Sequence, residues 1–146
     1  MAILRMDHIG INVDDLEAVT AFFVALGLEA SETWITEGEW VDRIIGLDGV
    51  RSESVMLGTP GGAHKIELSH FLSPVDGSPS GPAPANRHGI RHLAFPVDDL
   101  DAAIDVVRAQ GFDLIGEVRQ FEREWRLCYV RGPEGLIVEL AEGLGG

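Results

Sequence analysis

The chain has 146 residues, 45% of them hydrophobic, with one cysteine and a formal net charge of −13. That length suits a single domain with a sizeable core. The acidic balance argues against general nucleic-acid or anionic-membrane partners, which need local positive potential. The lone Cys128 excludes an intramolecular disulfide framework and a Cys-rich metal site. No apolar run approaches the roughly 18 residues of a membrane span, and the N-terminus has no charged-then-apolar leader, so a soluble cytoplasmic protein is expected.

In chain order, residues 3–13 read as a strand, with Ile9, Ile11 and Val13 on one face and His8, Gly10 and Asn12 on the other. Asp14 or Asp15 caps a helix that runs to about Leu26, with Leu16, Val19, Phe22, Phe23 and Leu26 as its apolar stripe and Gly27 as its stop. Residues 28–36 read as a strand, and 40–47 fit a short helix. Residues 51–58 and 64–71 read as strands joined by the turn Thr59-Pro60-Gly61-Gly62. Residues 72–89 hold four of the seven prolines and read as an extended spacer. Beyond it the plan recurs: strand 90–97, helix 99–110, strand 113–118, long strand 121–131 and last strand 135–142, the final turn being Gly132-Pro133-Glu134-Gly135. The reading is one domain, 1–146, of module one (3–71), spacer (72–89) and module two (90–142), each module ordered β-α-β-β-β in an α+β fold.

The two modules are written in nearly the same letters. HIGINVDDLEAVTAFFVALG at 8–27 aligns without a gap on HLAFPVDDLDAAIDVVRAQG at 92–111, offset by 84 (92−8), with eight of twenty positions identical. Each copy opens on a histidine in a strand, and each module later has a glutamate in a strand, Glu67 in HKIELSHF and Glu139 in LIVELAE. Strand parity puts Ile66, Leu68, Leu136, Val138 and Leu140 toward the helices. It puts Lys65, Glu67, Ser69, Ile137, Glu139 and Ala141 on the other face, which His8 and His92 share. One such His or Glu would be an ordinary surface residue; the same pairing in two equivalent places points to a metal site. Two imidazoles and two carboxylates suit a divalent first-row ion such as Zn, Ni, Co, Mn or Fe(II), with positions left for substrate. His64 and His70 have the opposite parity and stay outside this set. Asp14, Asp15, Asp98 and Asp99 are helix starts rather than ligands.

A strand with His, then VDDL and a helix, then a strand ending I-E-L, followed by H-x-x-x-x-V-D-D-L and G-P-E-G-x-x-V-E-L, resembles the vicinal oxygen chelate superfamily over His8 to Glu142. That group includes glyoxalase I, methylmalonyl-CoA epimerase, extradiol dioxygenases, and fosfomycin- and bleomycin-resistance proteins. The resemblance implies two tandem βαβββ modules forming a cup-shaped, eight-stranded mixed sheet with helices outside, and often a homodimer. By position, His8, Glu67, His92 and Glu139 match the metal ligands of glyoxalase I, while epimerases usually carry Gln where this chain has Glu67. The implied activity is that of a metal-dependent lyase or isomerase removing a proton next to a metal-bound carbonyl of a small thioester, hemithioacetal or ketone. Glu139, then Glu67, is the base it implies. The alternatives are an Fe(II) ring-cleaving dioxygenase and a non-catalytic protein that sequesters its ligand.

For the substrate, parity in EVRQFEREWRLCYVR puts Phe121, Arg123, Trp125, Leu127 and Tyr129 on one face. Arg123 could meet an anionic tail and Trp125 an apolar group. Cys128 reads as a buried apolar residue.

Overall fold

A computed structural model describes residues 1–78 and 81–145. The chain divides into two compact units, Met1–Ser78 and Pro79–Gly146. The first unit runs β1 (His8–Asn12), α1 (Leu16–Ala25), β2 (Glu29–Ala30), β3 (Trp34–Glu37), α2 (Glu39–Ile45), β4 (Arg51–Gly58) and β5 (Lys65–Ser73). Its sheet has the order β1-β5-β4-β2, with β3 also on β4. Only β1 and β5 are parallel, and α1 lies on the connection that a parallel pair requires. Asp15, not Asp14, caps α1, its carboxylate accepting from the Ala18 N–H at 2.9 Å. Gly27, at φ 105°, ends the helix where a side chain would be strained. Leu16, Val19, Phe22 and Phe23 are buried as the helical spacing requires. They pack over β4 and β5, whose Val55, Leu57, Ile66 and Leu68 complete the core.

The second unit runs β6 (His92–Val97), α3 (Leu100–Ala109), β7 (Asp113–Leu114), β8 (Arg119–Phe121), β9 (Trp125–Arg131) and β10 (Ile137–Gly143), with a 3-10 turn at Pro133–Gly135. Its sheet order is β6-β10-β9-β7, with β8 also on β9, and β6 and β10 are the parallel pair. The Asp99 carboxylate caps α3 by accepting from the Ala102 N–H at 2.9 Å. Leu100, Ile104 and Val107 are buried on α3, and Val130, Val138 and Leu140 on the strands beneath it. A fork of two hydrogen bonds from Arg126 to Asp101, at 2.7 and 3.0 Å, ties helix to sheet.

The α+β class and the tandem βαβββ plan hold; among the described residues the strands number ten, in two five-stranded sheets, rather than eight. The second strand of each module is broken in two. Residues 28–36 split at Ser31, whose hydroxyl accepts the Met56 N–H at 3.0 Å in place of a ladder bond. Residues 113–118 keep only Asp113–Leu114 as strand, and Arg119–Phe121 pairs separately on β9. The long strand 121–131 is instead a hairpin: Phe121 pairs with Trp125, and Glu122 turns the chain at φ 52°. The first strand starts at His8, not at residue 3, because its partner β5 begins at Lys65 and gives residues 3–7 no strand to pair with.

Of the segment 72–89, residues 79 and 80 lie outside the described residues, and several of the others take part in the fold. Leu72 and Ser73 belong to β5. Further on, the Ala83 carbonyl accepts from Arg131 Nη1 at 2.8 Å, and the same nitrogen donates to the Gly135 carbonyl at 3.1 Å. A Cβ on Gly135 would sit 2.8 Å from Pro82 Cα, and Gly135 is at φ 79°. Among the described residues no helix is long and apolar enough to cross a membrane.

Two outcomes follow. Gly135→Ala combines a left-handed backbone penalty of about 1–2 kcal/mol with a backbone clash, so a urea melt is expected to show a lower midpoint with an unchanged slope. The Arg126 hydrogen bonds hold the Asp101 carboxyl below its ordinary value. A depressed folded-state value stabilises above the ordinary carboxyl range and is lost as pH falls through it, below about pH 4. Asp101→Asn is expected to melt earlier than wild type at neutral pH and to converge with it in acid, followed by circular dichroism.

Candidate functional site

Each unit brings its own histidine and glutamate together, and by the same register. In the first unit Gly10 lies beside Glu67 across the parallel β1–β5 pair, with His8 two residues earlier on β1. In the second, Ala94 lies beside Glu139 across β6–β10, with His92 two residues earlier on β6. The small residue opposite each glutamate leaves its carboxylate room; a Cβ on Gly10 would meet nothing within 4 Å. His8 Nε2 is 3.7 Å from Glu67 Oε2, and His92 Nε2 is 3.2 Å from Glu139 Oε2. All four side chains are partly exposed. Each pair offers a nitrogen and a carboxylate oxygen facing one another, a donor arrangement that a divalent cation accepts. Among the described residues no group of three or more His, Cys, Asp or Glu is gathered so as to hold a metal ion.

The surroundings of the two pairs differ. Asp7 Oδ2 is 2.8 Å from His8 Nδ1, and Asp7 also accepts from Arg5 at 3.3 Å. These hydrogen bonds, His8 first and then Arg5, hold the Asp7 carboxyl below its ordinary value. Ser69 Oγ donates to Glu67 Oε1 at 3.3 Å and lies 2.7 Å from the buried Ser54 Oγ. In the second unit Tyr129, the only tyrosine in the chain, stands directly across β9–β10 from Glu139. Its ring lies 4.9 Å from the His92 ring, with the hydroxyl 3.5 Å from Nε2. Asp7, Ser69 with Ser54, and Tyr129 are the neighbours that sequence reasoning passed over as partners of the site. Hairpin register would have found Tyr129, and strand parity had already put Ser69 beside Glu67.

Of the substrate candidates, Trp125 keeps the expected face. It pairs with Gly143, two ladder steps beyond Leu127–Ala141 and four beyond Tyr129–Glu139, and a Cβ added to Gly143 would meet its ring at 3.7 Å. Arg123 does not share that face: it lies in the exposed turn between β8 and β9, because the hairpin breaks the parity assumed for 121–131. Ile137, placed by parity beside Glu139 on the open face, is 3% exposed, so that face is closed at its β10 start. His64 and His70 point their Nδ1 atoms to the carbonyls of Met6 and Val13, at 3.3 and 3.0 Å. Cys128 is buried, and burial pushes its thiol up.

The family model described as Glyoxalase/Bleomycin resistance protein/Dioxygenase superfamily matches residues 7–129. A crystal structure of a glyoxalase family protein from Bacillus cereus is 40% identical, with a TM-score of 0.94, covering 99% of this chain and 97% of that one. A 2-epi-5-epi-valiolone epimerase from an Actinomyces species is 29% identical over 94% of this chain and 78% of its own length. A glyoxalase I mutant from Zea mays, 18% identical, shares the fold with a TM-score of 0.66 over 96% of this chain and 47% of that one.

Proposed function

This chain belongs to the Glyoxalase/Bleomycin resistance protein/Dioxygenase superfamily, and from that premise we propose that it is a divalent-metal-dependent isomerase, an epimerase acting on the carbon next to a carbonyl. The observation that carries the reading is the duplicated His–Glu pair, held in the same register in both units. The relative named as an epimerase, matching 94% of the chain, favours epimerisation over glyoxalase I chemistry. The proposed ligands are His8, Glu67, His92 and Glu139. A divalent ion there supplies Lewis acidity, which lowers the cost of negative charge on a substrate oxygen.

The rest falls to the chain's own groups. Glu139 is the proposed base, taking the proton from the carbon next to the carbonyl. A proton returned from solvent to the opposite face of that carbon completes the inversion, so no redox partner and no leaving group are needed. Trp125, with Leu127 on the same face of β9, offers an apolar wall to one side of the substrate. The substrate class is a small ketone or thioester with a second oxygen beside the reacting carbon, and the proposed assembly is a homodimer.

Mass-spectrometric metal analysis of untagged protein is expected to find about one divalent ion per chain in wild type, and much less in His8→Ala and Glu139→Ala. Absence of metal after reconstitution with Ni, Co, Zn, Mn and Fe(II) would overturn the reading in favour of a ligand-sequestering protein. Glu139→Gln is expected to slow exchange of the substrate α-proton with D2O by about 10²–10⁴-fold, followed by NMR on 2-hydroxyketones and 2-substituted acyl thioesters. An unchanged exchange rate would remove Glu139 from the base role.

A further inference from the structure

The repeat predicts two equivalent half-sites, yet the two are braced by different neighbours. A carboxylate only accepts hydrogen bonds, so Asp7, 2.8 Å from His8 Nδ1, requires the ring hydrogen to be on that nitrogen. In the neutral ring the lone pair is then on Nε2, the atom that faces Glu67 Oε2. Two acceptors facing each other at 3.7 Å have no hydrogen to share, and a cation between them satisfies both. The other oxygen of Glu67 is taken by a directed chain. Ser69 donates to Oε1, so the contact between the two serines has Ser54 donating to Ser69. Both serines are buried, at 7% and 2% exposure, which keeps water from competing for these bonds.

Among the described residues the second unit lacks these three braces, and there the Tyr129 hydroxyl lies 3.5 Å from His92 Nε2 instead. The 84-residue offset puts Arg91 in the place of Asp7 (7+84), and the Arg91 guanidinium donates to the Ile90 carbonyl. The offset from Glu67 to Glu139 is 72 (139−67), which puts Ala141 in the place of Ser69 (69+72). Ser54 pairs with Ser69 across its ladder, and Leu127 pairs with Ala141 across the other. No hydroxyl therefore reaches Glu139 from the position that serves Glu67. Among the described residues its polar contact is the His92 ring.

We propose that Asp7 and Ser69 are positioning residues that make the first unit the fixed half of the donor set, Asp7 by selecting the His8 ring tautomer and Ser69, backed by Ser54, by holding Glu67. This rests on the metal-binding role proposed above for the two pairs. Partners behind a ligand fix its tautomer and orientation, and their loss typically costs 10–100-fold in metal affinity.

The test has two readouts, neither of which is activity. Long-range ¹⁵N–¹H NMR of the metal-free protein, at alkaline pH where imidazoles are neutral, is expected to show His8 as a single Nδ1–H tautomer. In Asp7→Ala that signature is expected to give way to a mixture, with His92 unaltered. Titration with Co(II) alone is expected to show affinity weakened about 10–100-fold in Asp7→Ala and Ser69→Ala, restored in Ser69→Thr, and unchanged in Arg91→Ala. Asp7 is exposed, so its variant keeps the fold even where a buried serine change does not. A mixed His8 tautomer in wild type overturns the proposal, as does full Co(II) affinity in Asp7→Ala and Ser69→Ala. If wild type binds no Co(II), the metal reading fails, while a His8 tautomer locked in wild type and released in Asp7→Ala still upholds the positioning role of Asp7.

Discussion

A β-strand shows alternate side chains to opposite faces, so the register of a parallel pair decides which residues meet across it. In this chain one such register is used twice, Gly10 beside Glu67 and Ala94 beside Glu139. A slip of one residue in either pair would turn the glutamate into the helix-covered core and bring an apolar neighbour to the other face. Everything that fixes the register therefore also fixes the site. Ile66 and Leu68 flank Glu67, and Val138 and Leu140 flank Glu139, all four nearly fully buried. The hydrophobic effect on these neighbours, roughly 1.5–3 kcal/mol for each buried side chain, holds the carboxylates on the open face.

Parallel pairing in turn demands a crossover, and the crossover supplies the cover for the buried face. That is why the helices α1 and α3 follow directly on the histidine strands. Their starts are set by Asp15 and Asp99, whose carboxylates each accept from the N–H three residues on. Their ends are set by Gly27 and Gly111, both at positive φ. The VDDL motif that announces the repeat is thus capping chemistry, and the acidic doublets that look like a metal-binding run do structural work at the helix starts.

What was legible in the sequence follows the same physics. Helix α1, helix α3 and strands β4 and β10 lie within a few residues of where periodicity and caps put them, because long apolar patterns and Asp–Gly punctuation are strong local signals. The pairing of each histidine with its own glutamate was legible too, from parity and repetition. The hairpin at 122–124 was not: Glu122 takes φ 52° without the Gly or Asn that usually marks such a turn. With the turn unmarked, parity ran straight through it and carried Arg123 onto a face it does not occupy. The break at Ser31 was equally hidden, since it depends on a hydroxyl 25 residues from the amide it accepts. The docking of Ala83 on Arg131 is a contact 48 residues apart that composition reads only as a proline-rich spacer.

Duplication explains both the likeness and the difference of the halves. A backbone register copied with its gene segment keeps the residues that set it: the His, the small residue, the Glu and the flanking core. Nothing in the register constrains the side chains one ladder step away, so Met56 and Tyr129 face equivalent glutamates with unlike chemistry. Ser69 donates a hydrogen bond to Glu67, and Ala141, at the repeated position, has no hydroxyl to offer Glu139. The difference between serine and alanine at one repeated position is thus enough to give two copies of one His–Glu pair unlike surroundings.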